Sequence, residues 1–485
     1  MRTPSRPGAP FGALASSLAM LVSALGCAAP AAPPPATAAD AATPARAAAP
    51  FASTYRPLPS VPTLVTGAVV LTGTGARIDG GSVLMVDGEV AAVGRDGEVA
   101  APDGARTIDA AGRWVTPGLI DVHSHLGVGP SPSVAAVDDV NESTDPVTAE
   151  VWAEHSVWPQ DPGLAAALAG GITTLHALPG SANLIGGRGV TLKNVPARTV
   201  QAMKFPGAPY TLKMACGENP KRNYGARGRA PSTRMGNVAG YRAAWIEAEA
   251  YRREWRRWEG ERAAGEDDEP PERDLALETL AGVLDGEILV QNHCYRADEM
   301  AQMLDVAREF GYRVTAFHHA VEAYKVADLL AAEGVCAAMW ADWWGFKLEA
   351  YDGVRENLAL VDRVDGGCAI VHSDSEYGIQ RLNQEAAKAM AAANRAGLAV
   401  SRQRAIRWLT ANAAHALGVG ERTGTLESGK MADLVIWSGD PFSVYSLADQ
   451  VFVDGALVYD RHDPQRQPTS DFLLGILPPA EGEGR

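Results

Sequence analysis

A short apolar segment that ends in two histidines constrains this chain more than any other feature. Residues 116–118 read TPG, a turn signal, and residues 119–125 read LIDVHSH. The run is typical of a buried strand. Side chains alternate between the faces of a strand, so His123 and His125 point the same way and can reach one metal ion. The pattern predicts a metal site at a strand end, or alternatively two histidines of a polar strand end.

Two further segments accompany this one in a fixed order. Residues 170–174 read GGITT, and residues 424–435 read GTLESGKMADLV. Together with residues 116–125, they resemble signatures of the amidohydrolase superfamily, and the resemblance extends over roughly residues 62–461. It implies an α/β fold, a (β/α)8 TIM barrel with a small β-sandwich domain built from both chain ends.

The distribution of strand-like and low-complexity segments divides the chain. Residues 27–61 are rich in Ala and Pro and predict an extended linker. Residues 62–115 and 421–461 contain short strand-like runs split by Gly turns, and are the expected halves of the β-sandwich. Between them, residues 116–420 alternate strand-like and helix-like runs, which is typical of a parallel sheet covered by helices. Residues 462–485 form a C-terminal tail.

One stretch of the predicted barrel is too long for an ordinary loop. It covers residues 217–274 and contains an expected helix over 240–259 and an acidic break over 265–272. We interpret it as an insertion, either a lid over the barrel mouth or a solvated structural addition. Residues 179–189 form a Gly-rich loop without the strand and helix context of a nucleotide-binding loop.

The first 26 residues have the pattern of an export signal. Arg2 and Arg6 precede an apolar run over residues 13–26 that is too short to span a bilayer comfortably. Residues 23–27 resemble a lipoprotein cleavage box, which would attach the protein to a membrane by a lipid on Cys27. Plain signal cleavage is the alternative. Either way, we expect an exported bacterial protein, periplasmic or membrane-anchored.

Charge and cysteine usage exclude some classes of partner and site. The formal net charge of −15 argues against nucleic acid, whose phosphates need a basic surface. The remaining cysteines stand apart in apolar runs, so buried free thiols are expected at Cys216, Cys294, Cys336 and Cys368. No CxxC pair indicates a zinc knuckle.

Residues of metal-binding types stand where apolar strand runs stop. In a (β/α)8 barrel, these ends meet at the face where active sites are built. The resemblance implies two divalent metal ions. His123, His125 and Asp374 would bind the first, and His293 and His319 the second. Histidine and carboxylate ligands suit zinc, although manganese, iron or cobalt would also fit.

A lysine, Lys213, completes the implied ligand set. An ammonium group would repel a cation, so the resemblance implies that Lys213 is carbamylated and that its carboxylate bridges both metals. A surface or salt-bridging lysine is the plain alternative. Glu218, in the loop beyond, is a second candidate for the bridging carboxylate.

Two adjacent histidines compete for one ligand position. Neighbouring strand residues face opposite sides, so at most one of His318 and His319 points inward while the strand stays regular. His319, followed by Ala320, better resembles the family pattern. We therefore expect His318 to face the helices or the strand end.

The resemblance also implies how the site acts. A metal-activated hydroxide attacks the substrate carbonyl, while Asp374 takes the proton and delivers it to the leaving nitrogen. Tyr224 is a candidate for stabilising the oxyanion. Lys221 and Arg222 are candidates for receiving a substrate carboxylate, because Arg matches carboxylates. A solvated basic patch is the alternative.

These features predict a metal-dependent hydrolase of a small substrate, resembling the imidazolonepropionase-like and prolidase-like branch. A dipeptide or N-acyl amino acid is the expected substrate class. A mononuclear deaminase is an alternative, but it would place a Glu close after His293, and the next one is Glu299. An exported, non-catalytic binding protein with a degenerate barrel is the third possibility.

Overall fold

The structure is a computed structural model, and it describes residues 51–131, 133–266 and 268–467. The predicted export signal, Cys27 and most of the tail lie outside the described residues. The described end of the predicted linker has no helix or strand before residue 63. There, the Ser53 hydroxyl donates a hydrogen bond to the Lys204 carbonyl oxygen over 2.7 Å.

Sixteen strands form two sheets within the described residues. In chain order they are β1 Thr63–Leu71, β2 Arg77–Val86, β3 Glu89–Arg95, β4 Arg106–Asp109, β5 Trp114–Pro117, β6 Leu119–Ser124, β7 Ile172–Ala177, β8 Ile185–Lys193, β9 Thr211–Ala215, β10 Leu289–His293, β11 Val314–His318, β12 Cys336–Met339, β13 Ala369–Val371, β14 Leu434–Trp437, β15 Ala448–Val453 and β16 Ala456–Asp460.

The helices lie between the strands of the second sheet and after it. They are α1 Pro162–Ala169, α2 Glu218–Gly225, α3 Arg234–Ala263, α4 Leu275–Leu284, α5 Ala297–Phe310, α6 Ala327–Ala332, α7 Asn357–Asp362, α8 Leu382–Arg395, α9 Arg402–Ala405 and α10 Ala411–Ala416. Short 3₁₀ helices occupy Ala153–His155, Val200–Ala202, Ala323–Lys325, Leu348–Ala350, Ile379–Arg381, Ile406–Leu409 and Pro464–Arg466. In the described part of the chain, no helix is long and apolar enough to cross a bilayer.

The first sheet, which we call the terminal sheet, combines strands from both ends of the described chain. Its order is β16-β15-β14-β5-β1-β2-β3, and β4 also pairs with β1. β5 and β14 pair antiparallel, with Leu434 opposite Pro117 and Trp437 opposite Trp114. Backbone pairing therefore joins the segments predicted as two halves of one β domain. Their arrangement as a sandwich stays a prediction.

The second sheet, which we call the barrel sheet, contains β6 to β13 in chain order. Its main hydrophobic core includes buried residues of strands and covering helices, such as Leu212, Met303 and Leu382. The prediction of a parallel sheet is wrong at β8, which pairs antiparallel with both β7 and β9. β8 begins at Ile185, inside the segment predicted as a Gly-rich loop. Only a short link, residues 178–184, separates β7 from β8, and such a link suits antiparallel strands, whereas parallel ones need a long crossover.

The two end strands of the barrel sheet approach each other, so the sheet is nearly closed. The Asp374 backbone N–H donates to the His123 carbonyl oxygen over 3.0 Å. The buried Asp121 carboxylate of β6 accepts hydrogen bonds from the Ser373 backbone N–H, at 3.2 Å, and from the Ser373 hydroxyl. Burial raises the pKa of Asp121 to about 7, although these hydrogen bonds oppose the shift. Asp121 therefore ties β6 to the segment that carries Asp374.

The prediction of free thiols is wrong. Cys216 forms a disulfide with Cys294, and Cys336 forms one with Cys368. Each bond joins neighbouring parallel strands, β9 to β10 and β12 to β13, at or next to their ends. Adjacent strands bring the Cα atoms within 5.3 and 4.5 Å, which is within reach of a disulfide. The partners are 78 and 32 residues apart in sequence, so only the sheet register reveals them.

The predicted insertion divides into two parts with different neighbours. α3 is longer than the helix predicted over 240–259, and it packs against α4 and α5. The Trp245 and Tyr312 rings lie 4.4 Å apart, and the Tyr241 hydroxyl donates to the Ala215 carbonyl oxygen. α3 is therefore a structural addition to the helical layer, whereas α2 lies near the ends of the barrel strands, as its contact with His293 shows.

Candidate metal centre

The predicted ligands follow the strand order of the barrel sheet. In the parallel part of the sheet, the carboxyl ends of strands meet at one edge, which brings residues distant in sequence together. Five of the six predicted residues lie at or beyond such ends: His123 in β6, His125 just after it, His293 at the end of β10, His319 just after β11, and Asp374 beyond β13. The sixth, Lys213, lies in the middle of β9.

Three histidines converge on the carboxylate of Asp374. His123 Nε2 and His125 Nε2 lie 3.4 and 3.2 Å from Asp374 Oδ1. His319 Nε2 lies 3.7 Å from Asp374 Oδ2. Asp374 has a positive φ of 51°, which is uncommon for a residue other than glycine. This backbone conformation accompanies the turn of its carboxylate toward the histidines.

A hydrogen-bond chain sets the tautomer of His123. Gln291 Nε2 donates to the Ala416 carbonyl oxygen over 2.9 Å, which leaves Gln291 Oε1 facing His318 Nε2 at 2.7 Å. That oxygen can only accept, so neutral His318 carries its proton on Nε2 and accepts at Nδ1. His123 Nδ1, 2.9 Å away, must then donate. The lone pair of His123 is therefore on Nε2, the nitrogen that points at Asp374.

The other two histidines are held in a similar way. His125 Nδ1 donates to the Leu178 carbonyl oxygen over 2.9 Å, which leaves its Nε2 lone pair free to face Asp374. His319 Nδ1 lies 2.7 Å from His372 Nε2, so its Nε2 also faces the carboxylate. Partners that orient the second ring nitrogen are a regular feature of histidine ligands to metals.

His318 faces His123 and Gln291 in the interior of the barrel sheet, so the expectation that it faces the helices or the strand end is wrong. It is fully buried, and its ring contacts His123 with a centroid distance of 4.8 Å. The strand ends at His318, and His319 takes a positive φ of 57°. The alternation of side chains stops where the strand stops, so both histidines face inward. His318 and Gln291 are site residues that the sequence patterns missed.

The cluster is uncharged where it is most deeply buried. Burial lowers the pKa of His123, His293, His318 and His319 well below the ordinary value, and neighbouring cationic groups add to the shift. Burial also lowers the pKa of His372 to about 4. Neutral imidazoles keep the lone pair that a metal ligand needs.

Lys213 projects into the same interior. It is buried, and its Nζ has no hydrogen-bond partner among the described residues. Burial lowers the pKa of Lys213 to about 7, against the opposing effect of the Asp374 carboxylate. The amine is therefore partly neutral at physiological pH. An unpaired buried polar group is costly, and it needs an explanation.

His293 borders the cluster from β10. Its ring centroid lies 4.9 Å from that of His319, and its Nδ1 lies 3.0 Å from the Ser181 hydroxyl oxygen. Its Nε2 lies 3.5 Å from Asn219 Nδ2. Among the described residues, two sets have three donor atoms within 4.8 Å of one another. They are His123, His125 and Asp374, and His123, His319 and His372. His293 joins neither set.

The remaining candidates have other partners. The Tyr224 hydroxyl donates to the Asp145 carbonyl oxygen over 2.6 Å, so the structure directs it to a backbone acceptor. Glu218 Oε1 lies 3.5 Å from Lys347 Nζ and 3.8 Å from Arg222 Nη1. Arg222 itself is 73% exposed. Both side chains therefore have partners outside the histidine cluster, and the catalytic role of Tyr224 stays a prediction.

A solved structure shares both this fold and much of the sequence. It is an amidohydrolase from Thermotoga maritima, 34% identical to this chain, with a TM-score of 0.74. The similarity covers 82% of this chain and 100% of that one. This chain belongs to the amidohydrolase superfamily. A family model described as "Amidohydrolase family" also matches residues 322–459.

Two curated relatives extend the comparison of this amidohydrolase. The amidohydrolase tasK of Hapsidospora irregularis is 34% identical over 377 residues, which is 74% of this chain but only 38% of that relative's length. An imidazolonepropionase of Mesorhizobium japonicum is 26% identical over 420 residues, 77% of this chain and 90% of its own. These relationships indicate a hydrolase that acts on carbon–nitrogen bonds.

Replacing Gln291 tests the hydrogen-bond chain behind His123. In Gln291→Met, His318 loses the acceptor that fixes its tautomer, so the His123 lone pair is no longer held on Nε2. Loss of such an outer partner typically costs roughly 10- to 100-fold in metal affinity. Titration of the metal-free amidohydrolase with zinc measures this change. An unchanged affinity in a correctly folded variant would contradict the assigned tautomer.

Proposed function

We propose that this amidohydrolase hydrolyses the amide or peptide bond of a small substrate, a dipeptide or an N-acyl amino acid, at a binuclear metal centre. One observation carries the proposal: three histidine Nε2 atoms face a single carboxylate, that of Asp374, at 3.2 to 3.7 Å. Lone pairs that converge in a buried, neutral cluster have the chemistry of a metal site.

The residues present fit two divalent ions. His123, His125 and Asp374 would hold the first ion, while His293 and His319 would hold the second. The buried His123 Nε2 has no hydrogen-bond partner in the described part of the chain, as expected for a ligand atom. Imidazole and carboxylate donors suit zinc. Bound divalent ions would act as Lewis acids, acidify a water molecule and polarise the scissile carbonyl.

Lys213 supports the second ion if it becomes a carbamate. The neutral amine attacks carbon dioxide: an N–C bond forms, one C–O π bond opens to leave a negative oxygen, and one proton passes from the nitrogen to water. The resulting carbamate anion would supply oxygen ligands to the divalent ions. In the described part of the chain, Nζ is buried without a hydrogen-bond partner, which supports this modification. The depressed pKa of Lys213, about 7, supplies the neutral amine that this reaction needs.

In this proposal, Asp374 moves the proton. Water attacks the amide carbon and gives up one proton, which the Asp374 carboxylate accepts. Asp374 then donates that proton to the leaving nitrogen as the C–N bond breaks, which yields a carboxylic acid and an amine. A group that accepts a proton from water and then donates it to the leaving nitrogen must contact both of them. The position of the Asp374 carboxylate, 3.2 to 3.7 Å from three histidine Nε2 atoms, supports this role.

We also propose that the protein is exported, with lipid attachment at Cys27 as an option. The export pattern of residues 1–26 and the disulfides Cys216–Cys294 and Cys336–Cys368 support this proposal. Disulfides persist in oxidising compartments such as the bacterial periplasm, and they are rare in the cytosol.

Metal analysis together with substrate profiling tests the proposed function. We expect two divalent ions per chain and hydrolysis of N-acyl amino acids or dipeptides. Chelation should abolish activity, and zinc, manganese or cobalt should restore it. Full activity in the metal-free protein would contradict the mechanism. A fully loaded protein that hydrolyses no compound of either series would contradict the substrate class.

A further inference from the structure

A lysine of the aromatic loop after β12, residues 340–353, lies beside the metal centre. Lys347 Nζ donates to Asn219 Oδ1 over 3.0 Å, and Glu218 Oε1 lies 3.5 Å away. The side chain is only 16% exposed. Asn219 Nδ2 in turn lies 3.5 Å from His293 Nε2. One amide side chain therefore separates the ammonium from a predicted metal ligand.

An aromatic ring also separates Lys347 from that centre. Its Nζ lies 4.1 Å from the centroid of the Tyr295 ring, a cation–π distance. The same ring lies 4.7 Å from the ring of His293 and stacks at 5.8 Å on His319. The Tyr295 ring thus contacts both the Lys347 ammonium and two predicted ligands, His293 and His319.

The local charges leave Lys347 suited to an anion. Glu218 lies 3.5 Å from Lys347 and is shared with Arg222 at 3.8 Å, so one carboxylate faces two basic side chains. Glu349 is the other carboxylate near Lys347, and it is paired with Arg234. A partly desolvated ammonium gains more from a carboxylate than an exposed one does. The exposed Arg222 is therefore the weaker candidate.

We propose that Lys347 binds the free carboxylate of the substrate and thereby selects N-acyl amino acids and dipeptides over neutral amides. This assignment rests on the proposed function, because the substrate must place its scissile bond at the metal centre. The Tyr295 ring would stabilise the ammonium by a cation–π contact. The Asn219 side-chain oxygen would hold it in position by a hydrogen bond. A site built to pair a charged group rejects analogues that lack the charge.

The test compares N-acyl amino acids with their carboxamides on the metal-loaded enzyme. The native enzyme should prefer the acids. In Lys347→Met, kcat/KM for the acids should fall by about 10- to 150-fold, the usual range for a lost hydrogen bond to a charged group. The carboxamides should change by less than about 3-fold, a small effect on this scale. Lys347→Arg should keep most of the preference.

Lys325→Met is the matched control. The Lys325 ammonium is paired with Asp352, which belongs to the loop over residues 340–353. The substitution should therefore loosen this loop without removing a charge from the candidate site. It should affect acids and carboxamides equally. An equal effect in Lys347→Met, or no effect, would overturn the assignment.

A second measurement separates this inference from the proposed function. If neither series is hydrolysed, the proposed function fails, and calorimetry of N-acetyl amino acids and their carboxamides with the zinc-loaded protein then tests Lys347 alone. Binding of the acids that is lost in Lys347→Met supports the carboxylate site. Equal binding by both proteins, or binding by neither, overturns it.

Discussion

Lys213→Ala is expected to lose metal and turnover together. Two divalent ions repel at short range, and an anion shared between them offsets that repulsion. Without the carbamate, the second ion should be released, and kcat should fall by at least ~100-fold, because even outer-sphere changes typically cost 10- to 100-fold. Metal analysis of the purified variant, together with steady-state kinetics, measures both quantities.

Short carboxylic acids distinguish a carbamate from an ordinary lysine. Added acetate or propionate can enter the space that Lys213 leaves and supply the missing oxygens, so it should partly restore metal content and turnover. Glu218→Gln is the matched test of the alternative bridge, and it should retain both ions. Full metal content and normal turnover in Lys213→Ala would move the bridging role to Glu218 or reduce the site to one metal.

The parts of this molecule that local sequence could predict are those with a repeating pattern. Apolar runs that stop at a polar residue predicted strands of the barrel sheet, and so they predicted the placement of His123 and His293 near its edge. The short strand-like runs of residues 421–461 predicted the strands that this segment contributes to the terminal sheet. Each of these patterns lies within a few consecutive residues, so it can be recognised without knowledge of the fold.

Features that depend on contacts between distant segments were not predictable in this way. The pairing of Cys216 with Cys294 follows from the register of two adjacent strands, which the spacing of the cysteines does not encode. His318 faces inward because the strand ends at it and the next residue takes a positive φ. Lys347 contacts Asn219 and Tyr295 from an irregular loop, and no sequence period indicates these contacts. Periodic sequence patterns therefore do not reveal the direction of side chains that lie on an irregular backbone.

Asp374→Asn should have the largest effect on the chemical step. An amide cannot accept a proton from water and return it to the leaving nitrogen, so kcat should fall by roughly 10²- to 10⁴-fold, the usual contribution of general acid–base catalysis. Asp352→Asn is the control, because its carboxylate pairs with Lys325 on the surface. Metal analysis must accompany the kinetics, since Asp374 is also a predicted ligand.

The leaving group separates the two roles of Asp374. An anilide with a nitro group expels its nitrogen with little help from an acid, whereas an aliphatic amide needs protonation before the C–N bond breaks. If Asp374 delivers that proton, Asp374→Asn should lose more kcat on the aliphatic amide than on the nitroanilide. A ligand that only holds a metal would weaken both reactions by the same factor. Equal losses on the two substrates would therefore leave Asp374 as a metal ligand and assign the proton transfer to another group.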